Sequence, residues 1–313
     1  MSKSPILPLV LWLKPRGLNR WMEKSLPPMM KNYHALLEQC VDKRLELNKT
    51  SKGAVRADML HFLSTAKDPE TNQPAWSRDD LLAESHLLIM AGSDTTAVTM
   101  CGLFFFLTHN PRIYDKLANE VRTTFKSLDE IQYGSQLHSC TYLRAVIHET
   151  LRMAPAGPSE LPRVVQKGGM TIDGFFYPEG TVVGTPQWAL YRNEELFGSD
   201  AYTFRPERWI PSTHPDTLNS EEEIQRLKRG FYPFSKGPGN CVGQNIALLQ
   251  LSLLMARTLW QADFRFAPGQ SVGEGKPELG WGRTDPMQYQ MGDIFIGLRE
   301  GPIVQFRARN IAS

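Results

Sequence analysis

The sequence predicts a mainly α-helical fold with small β-sheets. Apolar residues recur at helical spacing through much of the first half, and short β-prone runs separated by glycines follow. A further apolar helix and a strand-like tail complete the order. The 313 residues carry a net charge of +2, with 41% apolar and 22% charged residues, which is typical of a globular protein. These values argue against a disordered chain and against nucleic-acid binding through bulk charge.

Helical patterns and their boundary signals define four helices in the first half. Ser77, followed three positions later by Asp80, has the form of a capping box and opens the longest of them. Pro111 suits a first helical position, whereas Pro155 stops the helix that precedes it. The predicted helices are Tyr33–Leu45, Ser77–Asn110, Pro111–Phe125 and Cys140–Met153.

The second half predicts β-structure around one more helix. Three β-prone runs around Gly174 predict one small antiparallel sheet. We expect Arg192–Tyr232, which contains the charged run Glu221–Glu223, to be long and irregular. Val242–Trp260 predicts an apolar helix, and Phe264–Phe306 alternates like strands. The three β-prone runs are 163–165, 170–172 and 181–183.

Two apolar stretches and the cysteines bear on the compartment. Leu87–Leu107 has Asp94 near its centre, which favours a buried core helix over a membrane span. Pro5–Leu13 is too short to cross a bilayer. The cysteines form no Cys-x-x-Cys pair, which favours a reducing compartment and argues against a disulfide scaffold or a zinc site. They are Cys40, Cys101, Cys140 and Cys241.

A glycine-rich loop, Phe234–Gly243, places Cys241 just before an apolar helix. Glycines let a backbone approach a flat ligand, and a helix N-terminus favours a thiolate over a thiol. A single thiolate suits one axial bond to haem iron better than a zinc or iron–sulfur site, which needs more ligands nearby. A phosphate-binding loop is excluded because no Gly-Lys-Ser/Thr ending is present. A buried structural cysteine beside a tight turn is the alternative.

Glu149 and Arg152 form a second candidate group. Their spacing of three places a carboxylate and a guanidinium on one helix face. Their apolar setting predicts a buried pair, and Phe204–Trp209 supplies further arginines for a network. An ordinary surface ion pair, worth at most about 1 kcal/mol, is the alternative.

The third candidate group, Ala91–Thr96, lies midway along the long apolar helix. Gly92 leaves a gap, and a threonine hydroxyl that bonds to its own helix can open or bend it locally. Asp94 and Thr95 beside such a gap are suited to delivering protons to a bound ligand. A Ser/Thr-rich packing seam is the alternative.

Together these segments resemble the cytochrome P-450 (haem-thiolate monooxygenase) superfamily, most of all its fungal members. The family patterns are A-G-x-D-T, E-x-x-R, P-E-R-W and F-x-x-G-x-R-x-C-x-G. They match Ala91–Thr95, Glu149–Arg152, Pro206–Trp209 and Phe234–Gly243, in family order. The resemblance covers the chain from about Leu45 and implies the cytochrome P-450 fold without its N-terminal portion.

The resemblance implies heme b as cofactor, with its iron axially bound by the Cys241 thiolate. Phe234 matches the ring that lies near the ligating sulfur, and Gly237 and Gly243 match the glycines of the cofactor-binding loop. Arg163 occupies the place where family members present an arginine to a haem propionate.

Further roles follow from the same resemblance. Thr95 matches the hydroxyl that donates to bound dioxygen, and Asp94 matches its acidic neighbour in the proton relay. Glu149 and Arg152, together with Arg208, match the core network that holds the cysteine loop.

The chain departs from the family pattern in two respects. Gly239 stands where the family usually has an arginine that pairs with a propionate. Loss of such a charge-assisted contact, worth roughly 1.5–3 kcal/mol, weakens haem retention more than ligation. The first helices and most of the main sheet have no counterpart. We therefore expect a single partial domain, divided into roof and linker helices (1–76), oxygen-side helix to E-x-x-R helix (77–160), small sheet (161–191), meander and cysteine loop (192–240), and proximal helix and strands (241–313).

The implied activity is insertion of one oxygen atom from O2 into a hydrophobic small molecule, such as an intermediate of secondary metabolism. Electrons would come from an NADPH-cytochrome reductase-type donor, because the chain has no flavin or dinucleotide fingerprint. A basic group beside the loop fits either a docking face for this donor or a solvated surface. A truncated family member with weak or no haem binding and no activity is the alternative function. The basic group comprises Arg226, Lys228, Arg229 and Lys236.

The resemblance also implies a place on the cytosolic face of the endoplasmic reticulum membrane. Relatives are held there by an N-terminal helix for which this sequence shows no counterpart. Membrane association and a soluble protein are therefore both left open.

Overall fold

The computed structural model describes residues 12, 13, 16, 18, 21, 24–50, 57–212 and 219–309. The apolar run Pro5–Leu13 therefore lies outside the described residues except for its last two positions. The chain forms two compact units, Met1–Ala91 and Gly92–Ser313.

Helices predominate among the described residues, as predicted. The helices are α1 Pro28–Thr50, α2 Met59–Thr65, α3 Arg78–His109, α4 Pro111–Thr124, α5 Ser135–Ser139, α6 Thr141–Met153, α7 Gln187–Leu190, α8 Glu194–Phe197, α9 Glu221–Gly230 and α10 Gln244–Gln261. The strands are β1 Arg163–Val164, β2 Met170–Ile172, β3 Phe175–Tyr177, β4 Val182–Val183, β5 Ala262–Phe266, β6 Met291–Ile294, β7 Ile296–Arg299 and β8 Val304–Ala308. They pair as the antiparallel ladders β1–β4, β2–β3, β5–β8 and β6–β7.

The predicted boundaries of three helices in the first half, α3, α4 and α6, are confirmed to within one residue, whereas α1 extends five residues beyond Tyr33–Leu45 at each end. The Ser77 hydroxyl donates to Asp80 Oδ2 at 2.6 Å, and the Asp80 amide donates to the Ser77 hydroxyl at 3.2 Å, so the capping box opens α3. Pro111 is the first residue of α4, directly after Asn110. Helix α6 ends at Met153, two residues before Pro155.

The first unit holds α1, α2 and the first half of α3. Leu37 and Val41 on one face of α1 are buried, which confirms the predicted amphipathic helix. Arg78 at the start of α3 forms a two-bond ion pair with Asp42 of α1, both bonds at 2.7 Å.

The core of the second unit lies among α3, α4, α6 and α10. The rings of Phe106 and Phe204 stack with centroids 4.5 Å apart in this core. Gly102 brings α3 close to α6, because a Cβ atom at this position would lie only 3.0 Å from Ala154 Cβ and 3.1 Å from Thr150 Cγ2. The close approach fixes α3 against the helix that carries Glu149.

The prediction of a single small sheet in the middle of the chain is wrong in its pairing. Strand β1 pairs with β4, whereas β2 pairs with β3. Strand β3 lies outside the three predicted runs. Asp173 and Gly174 both have positive φ, 49° and 79°, and form the two-residue turn that joins β2 to β3. Gly174, which was predicted to separate two β-prone runs, therefore forms part of a hairpin turn.

The prediction of an irregular Arg192–Tyr232 segment is wrong at two places. Helix α8 and the ten-residue helix α9 lie within it. Ser220 caps α9, because its side chain accepts the Glu223 amide at 3.1 Å. Three glutamates in the first turn and two basic residues in the last turn also favour this helix. The charged run Glu221–Glu223 therefore forms the first turn of α9.

The prediction of a buried core helix at Leu87–Leu107 holds only for its second half. Val98 and Phe105 are fully buried, whereas Leu87 is 57% and Met90 50% exposed. Among the described residues, α3 is the one helix long and apolar enough to cross a membrane by length and composition. A core helix meets the same two conditions, and the second half of α3 is packed against protein.

Candidate active site

The loop that carries Cys241 is closed by its own backbone. The Cys241 amide donates to the Phe234 carbonyl at 2.8 Å, and the Asn240 amide donates to the Gly237 carbonyl at 3.1 Å. Ser235 and Gly237 adopt positive φ, 63° and 76°, which turns the chain back toward the helix. The Cys241 side chain is exposed.

Helix α10 begins at Gln244 with Gly243 as its N-cap, two residues later than predicted. Cys241 therefore lies on the positive end of an 18-residue helix. The far part of this helix is fixed in the core, since Leu251 and Met255 are buried. Trp260 Nε1 also donates to the Phe125 carbonyl at 3.2 Å. A rigid helix thus supports an exposed loop.

Glu149 lies at the centre of a buried ionic network. The side chains of Glu149 and Arg152 are 0% exposed, and that of Arg208 is 1% exposed. Arg152 donates from Nε to Glu149 Oε2 at 3.0 Å and from Nη2 to Oε1 at 2.8 Å. Arg208 Nε donates to Oε1 at 2.9 Å. The structure therefore brings together the three residues that the sequence grouped.

Two further donors surround the Glu149 carboxylate. The Arg205 backbone amide donates to Oε1 and Trp209 Nε1 donates to Oε2, both at 2.9 Å. Burial raises the pKa of Glu149, but the Arg152 and Arg208 guanidinium groups outweigh burial and hold the pKa at about 2. The carboxylate is therefore ionised at neutral pH.

The arginines of this network also bind the meander that precedes the cysteine loop. Arg152 Nη1 donates to the carbonyls of Tyr191 and Ala201, both at 2.6 Å. Arg208 Nη1 donates to Asp200 Oδ1 at 3.2 Å, and Asp200 also forms an ion pair with Arg205. Asp200 was not predicted, because no local sequence pattern connects it with Arg208.

A short chain of hydrogen bonds leads from the network to the loop. Arg152 holds the backbone of Tyr191, and the Tyr191 hydroxyl accepts the Tyr232 amide at 3.1 Å. The Tyr232 carbonyl accepts the Ser235 amide at 2.9 Å and Gln187 Nε2 at 3.2 Å. The start of the cysteine loop is therefore fixed from the Glu149 side.

Arg163 lies beside the glycine at the position where the family pattern has an arginine. Its Nη1 donates to the carbonyls of Leu161 and Pro162 at 3.1 and 3.2 Å. A Cβ atom at Gly239 would lie 3.6 Å from Arg163 Nη2. Arg163 also lines a cleft of about 540 Å³ together with Gln187 and Ser235. A guanidinium and the cysteine loop therefore share one cleft.

Asp94 and Thr95 lie on α3, in the second unit. Asp94 Oδ1 accepts a hydrogen bond from Arg299 Nη1 of β7 at 2.8 Å. Helix α3 continues through the motif, so the structure shows no local opening there; Thr99 bonds back to the Thr95 carbonyl at 3.3 Å. Arg299 lies 205 positions away from Asp94 and was not predicted as its partner.

The match to a known family extends over most of the chain. The model of the cytochrome P-450 family matches residues 4–284. The chain belongs to the cytochrome P-450 family.

Curated relatives of this cytochrome P-450 chain are fungal. A cytochrome P-450 monooxygenase of Gibberella zeae is 33% identical over 96% of this chain and 67% of its own length. The monooxygenases atnE of Emericella nidulans and apf7 of Gibberella fujikuroi are 35% and 38% identical. Their matches cover 84% and 81% of this chain but 48% and 47% of their own lengths. The chain thus spans about half the length of several relatives.

Membership of the cytochrome P-450 family implies a haem cofactor, and the residues present fit one. A Cβ atom added at Gly237 would meet nothing within 4 Å, which leaves room for a flat group beside the loop. A Cβ atom at Gly243 would lie 3.7 Å from Cys241 Sγ, so glycine keeps the sulfur accessible. Cys241 supplies an exposed thiol, and Arg163 supplies a cation beside the same loop. This donor set suits a flat, anionic, thiolate-bound cofactor.

Proposed function

We propose that the chain is the haem-thiolate part of a monooxygenase that inserts one oxygen atom from O2 into a hydrophobic small molecule. The observation that carries the proposal is the exposed Cys241, which a closed glycine-rich loop presents at the start of α10. Haem, when bound, supplies the activation of O2.

The residues around Cys241 hold and orient the cofactor. Cys241 would provide the thiolate ligand, and Gly237 and Gly243 would leave room for the flat ring. Phe234 closes the loop behind the sulfur through its carbonyl, which accepts the Cys241 amide. Arg163 pairs with a propionate and covers the space beside Gly239.

Asp94 and Thr95 would handle protons at the site. Asp94 would pass protons to the Thr95 hydroxyl, and that hydroxyl would supply them to the reaction. Asp94 retains partial access to solvent, since 42% of its side chain is exposed. This access lets the carboxyl group exchange protons with water.

The Glu149–Arg152–Arg208 network has a positioning role in this proposal. It contacts no part of the cysteine itself. Its arginines fix the Tyr191 and Ala201 backbone, and Tyr191 in turn fixes Tyr232 at the entrance to the loop. The network therefore sets where the loop begins.

The electron donor is proposed to be an NADPH-cytochrome reductase-type protein. Of the basic group beside the loop, Arg226 is taken up by a bidentate pair with Glu223. Lys228, Arg229 and Lys236 are exposed and remain the proposed docking residues. We also propose an apolar substrate, a role in secondary metabolism and attachment to the endoplasmic reticulum membrane. These three proposals come from the family and its fungal members.

The competing function is an inactive family member. Neither the family match nor the relatives support it, since all the relatives named above are monooxygenases. The Cys241 loop and the Glu149 network, the two parts that bear on haem ligation, are both present. We therefore prefer the active form and a single partial domain over residues 1–313.

The test is haem titration of the purified full chain, followed by the carbon monoxide difference spectrum after reduction. We expect stoichiometric haem and the red-shifted Soret band of a thiolate ligand. Cys241→Ala should abolish that band, whereas Cys40→Ala, which also removes an exposed cysteine, should leave it unchanged. A chain that binds no haem, or a band that survives Cys241→Ala, would contradict the proposal.

A further inference from the structure

An ion pair connects the proton-handling motif on α3 with the C-terminal hairpin of β6 and β7. Arg299 Nη1 lies 2.8 Å from Asp94 Oδ1. The Arg299 side chain is 23% exposed, so the pair is partly shielded from water. Asp94 is thus held by a residue from a distant part of the chain.

The register of the hairpin places Arg299 beside Asp94. The Gly297 amide donates to the Ala156 carbonyl at 2.9 Å, which fixes β7 at this point. A Cβ atom at Gly297 would lie 3.6 Å from Val98 Cγ1, so β7 passes close to α3 at this point. Residues two apart on a strand share a face, and Arg299 therefore points toward the helix as Gly297 does.

Cys101 lies on the same helix as Asp94, seven positions further along, which is about two helical turns and places both on one face. Burial lowers the pKa of the Arg299 guanidinium, but interactions with the Asp94 and Cys101 side chains outweigh burial and raise the pKa. The guanidinium therefore interacts with two side chains on one face of α3.

From this geometry we infer that Arg299 is the positioning residue of Asp94, and that it gives the carboxylate a single orientation for proton delivery. The inference rests on the proposed function for its role, but not for the contact itself.

The first test needs no haem and reports on the Asp94 carboxylate directly. The carbon chemical shift of its side-chain carboxyl group, assigned by its loss in Asp94→Asn, is measured by NMR on the full chain. Arg299→Gln should shift this signal, and Arg299→Lys should restore part of the shift. Arg307→Gln is the matched control. Arg307 lies on a strand and pairs with an aspartate, as Arg299 does, but its side chain is 83% exposed. An Asp94 signal that does not move in Arg299→Gln overturns the inference.

The second test uses the haem-loaded chain and separates positioning from mere stabilisation. Arg299→Gln and Asp94→Asn should raise the share of reducing equivalents lost as hydrogen peroxide by similar factors, on the order of 10-fold. Both should change the solvent isotope effect on turnover, and Arg307→Gln should change neither quantity. If only Asp94→Asn has these effects, Arg299 has no positioning role. If the unmodified chain binds no haem, the proposed function fails, and the NMR shift alone decides whether Arg299 fixes Asp94.

Discussion

The buried network around Glu149 and the loop around Cys241 are built in opposite ways. Glu149 is fully buried and accepts five hydrogen bonds from side chains and backbone. Cys241 is exposed, and its loop is closed by backbone hydrogen bonds and residues of positive φ. The residues that stabilise the fold, around Glu149, are therefore separate from the residues proposed to bind the ligand, around Cys241. Changes in the network should affect unfolding, and changes in the loop should affect haem.

The largest effect on unfolding is expected for Glu149→Gln. The substitution leaves two buried guanidinium groups without their shared carboxylate, which costs about 3–5 kcal/mol of unfolding free energy. Urea unfolding measures the loss. Glu223→Gln is the matched control, since the Glu223–Arg226 pair is about one third exposed and should contribute at most about 1 kcal/mol. Equal losses in the two variants would contradict the role of the network.

A second effect concerns the pH dependence of stability beside the network. Burial, with Lys228 and Arg144 nearby, lowers the pKa of His148 from 6.5 to about 4. The unfolded chain therefore binds a proton at higher pH than the folded chain. The stability from neutral His148 is present above pH 6.5 and is lost as the pH falls toward 4, by about 2 kcal/mol after allowance for the partly exposed ring.

His148→Phe should flatten the unfolding free energy between pH 6.5 and 4, and His138→Gln, at an exposed site, should leave the slope as it is. Below this pH window, protonation of Glu149 dominates the pH dependence of the unfolding free energy. Its pKa lies at about 2, below the ordinary 4.5, so its contribution is present above pH 4.5 and is lost as the pH falls toward 2. A slope between pH 6.5 and 4 that persists in His148→Phe would contradict this assignment.

A third effect tests how α3 supports the network helix. Gly102→Val forces a side chain into the contact with Thr150 and Ala154, which should cost about 1–3 kcal/mol. Gly92→Val on the same helix is the control, because a Cβ atom at Gly92 would meet nothing within 4 Å. Thermal unfolding of both variants measures the difference, and equal melting temperatures would show that α3 and α6 are not in close contact.

The smallest effect on unfolding is expected for Cys241→Ser. The side chain is exposed, so the unfolding free energy of the haem-free chain should change by less than about 0.5 kcal/mol. Haem binding should be affected most by this substitution. A large loss of stability without haem would show instead that Cys241 is a structural residue.

Local patterns predicted the five longest helices, the cysteine loop and the Glu149–Arg152 pair from the sequence. The pair is three residues apart on one helix, and the loop is ten contiguous residues, so short-range rules suffice. Arg208 was found because the family motif contains it. Helix α9 was missed even though Ser220 and the glutamates that follow it are a recognisable start signal.

Contacts between distant segments were not predictable in the same way. Asp200 and Arg299 contact the predicted residues only because the meander and the C-terminal hairpin fold onto the helices. The exposure of the first half of α3 also has no signal in its apolar composition. These features depend on tertiary packing, for which single-sequence periodicity contains no information.

Iron K-edge X-ray absorption of the haem-loaded chain tests the assignment of Cys241 as the ligand most directly. We expect one sulfur atom in the first shell of the iron in the unmodified chain. We expect loss of that sulfur in Cys241→Ser and its retention in Glu149→Gln at a temperature where that variant is still folded. A first shell without sulfur, or a sulfur that persists in Cys241→Ser, would contradict the assignment of Cys241 as the haem ligand.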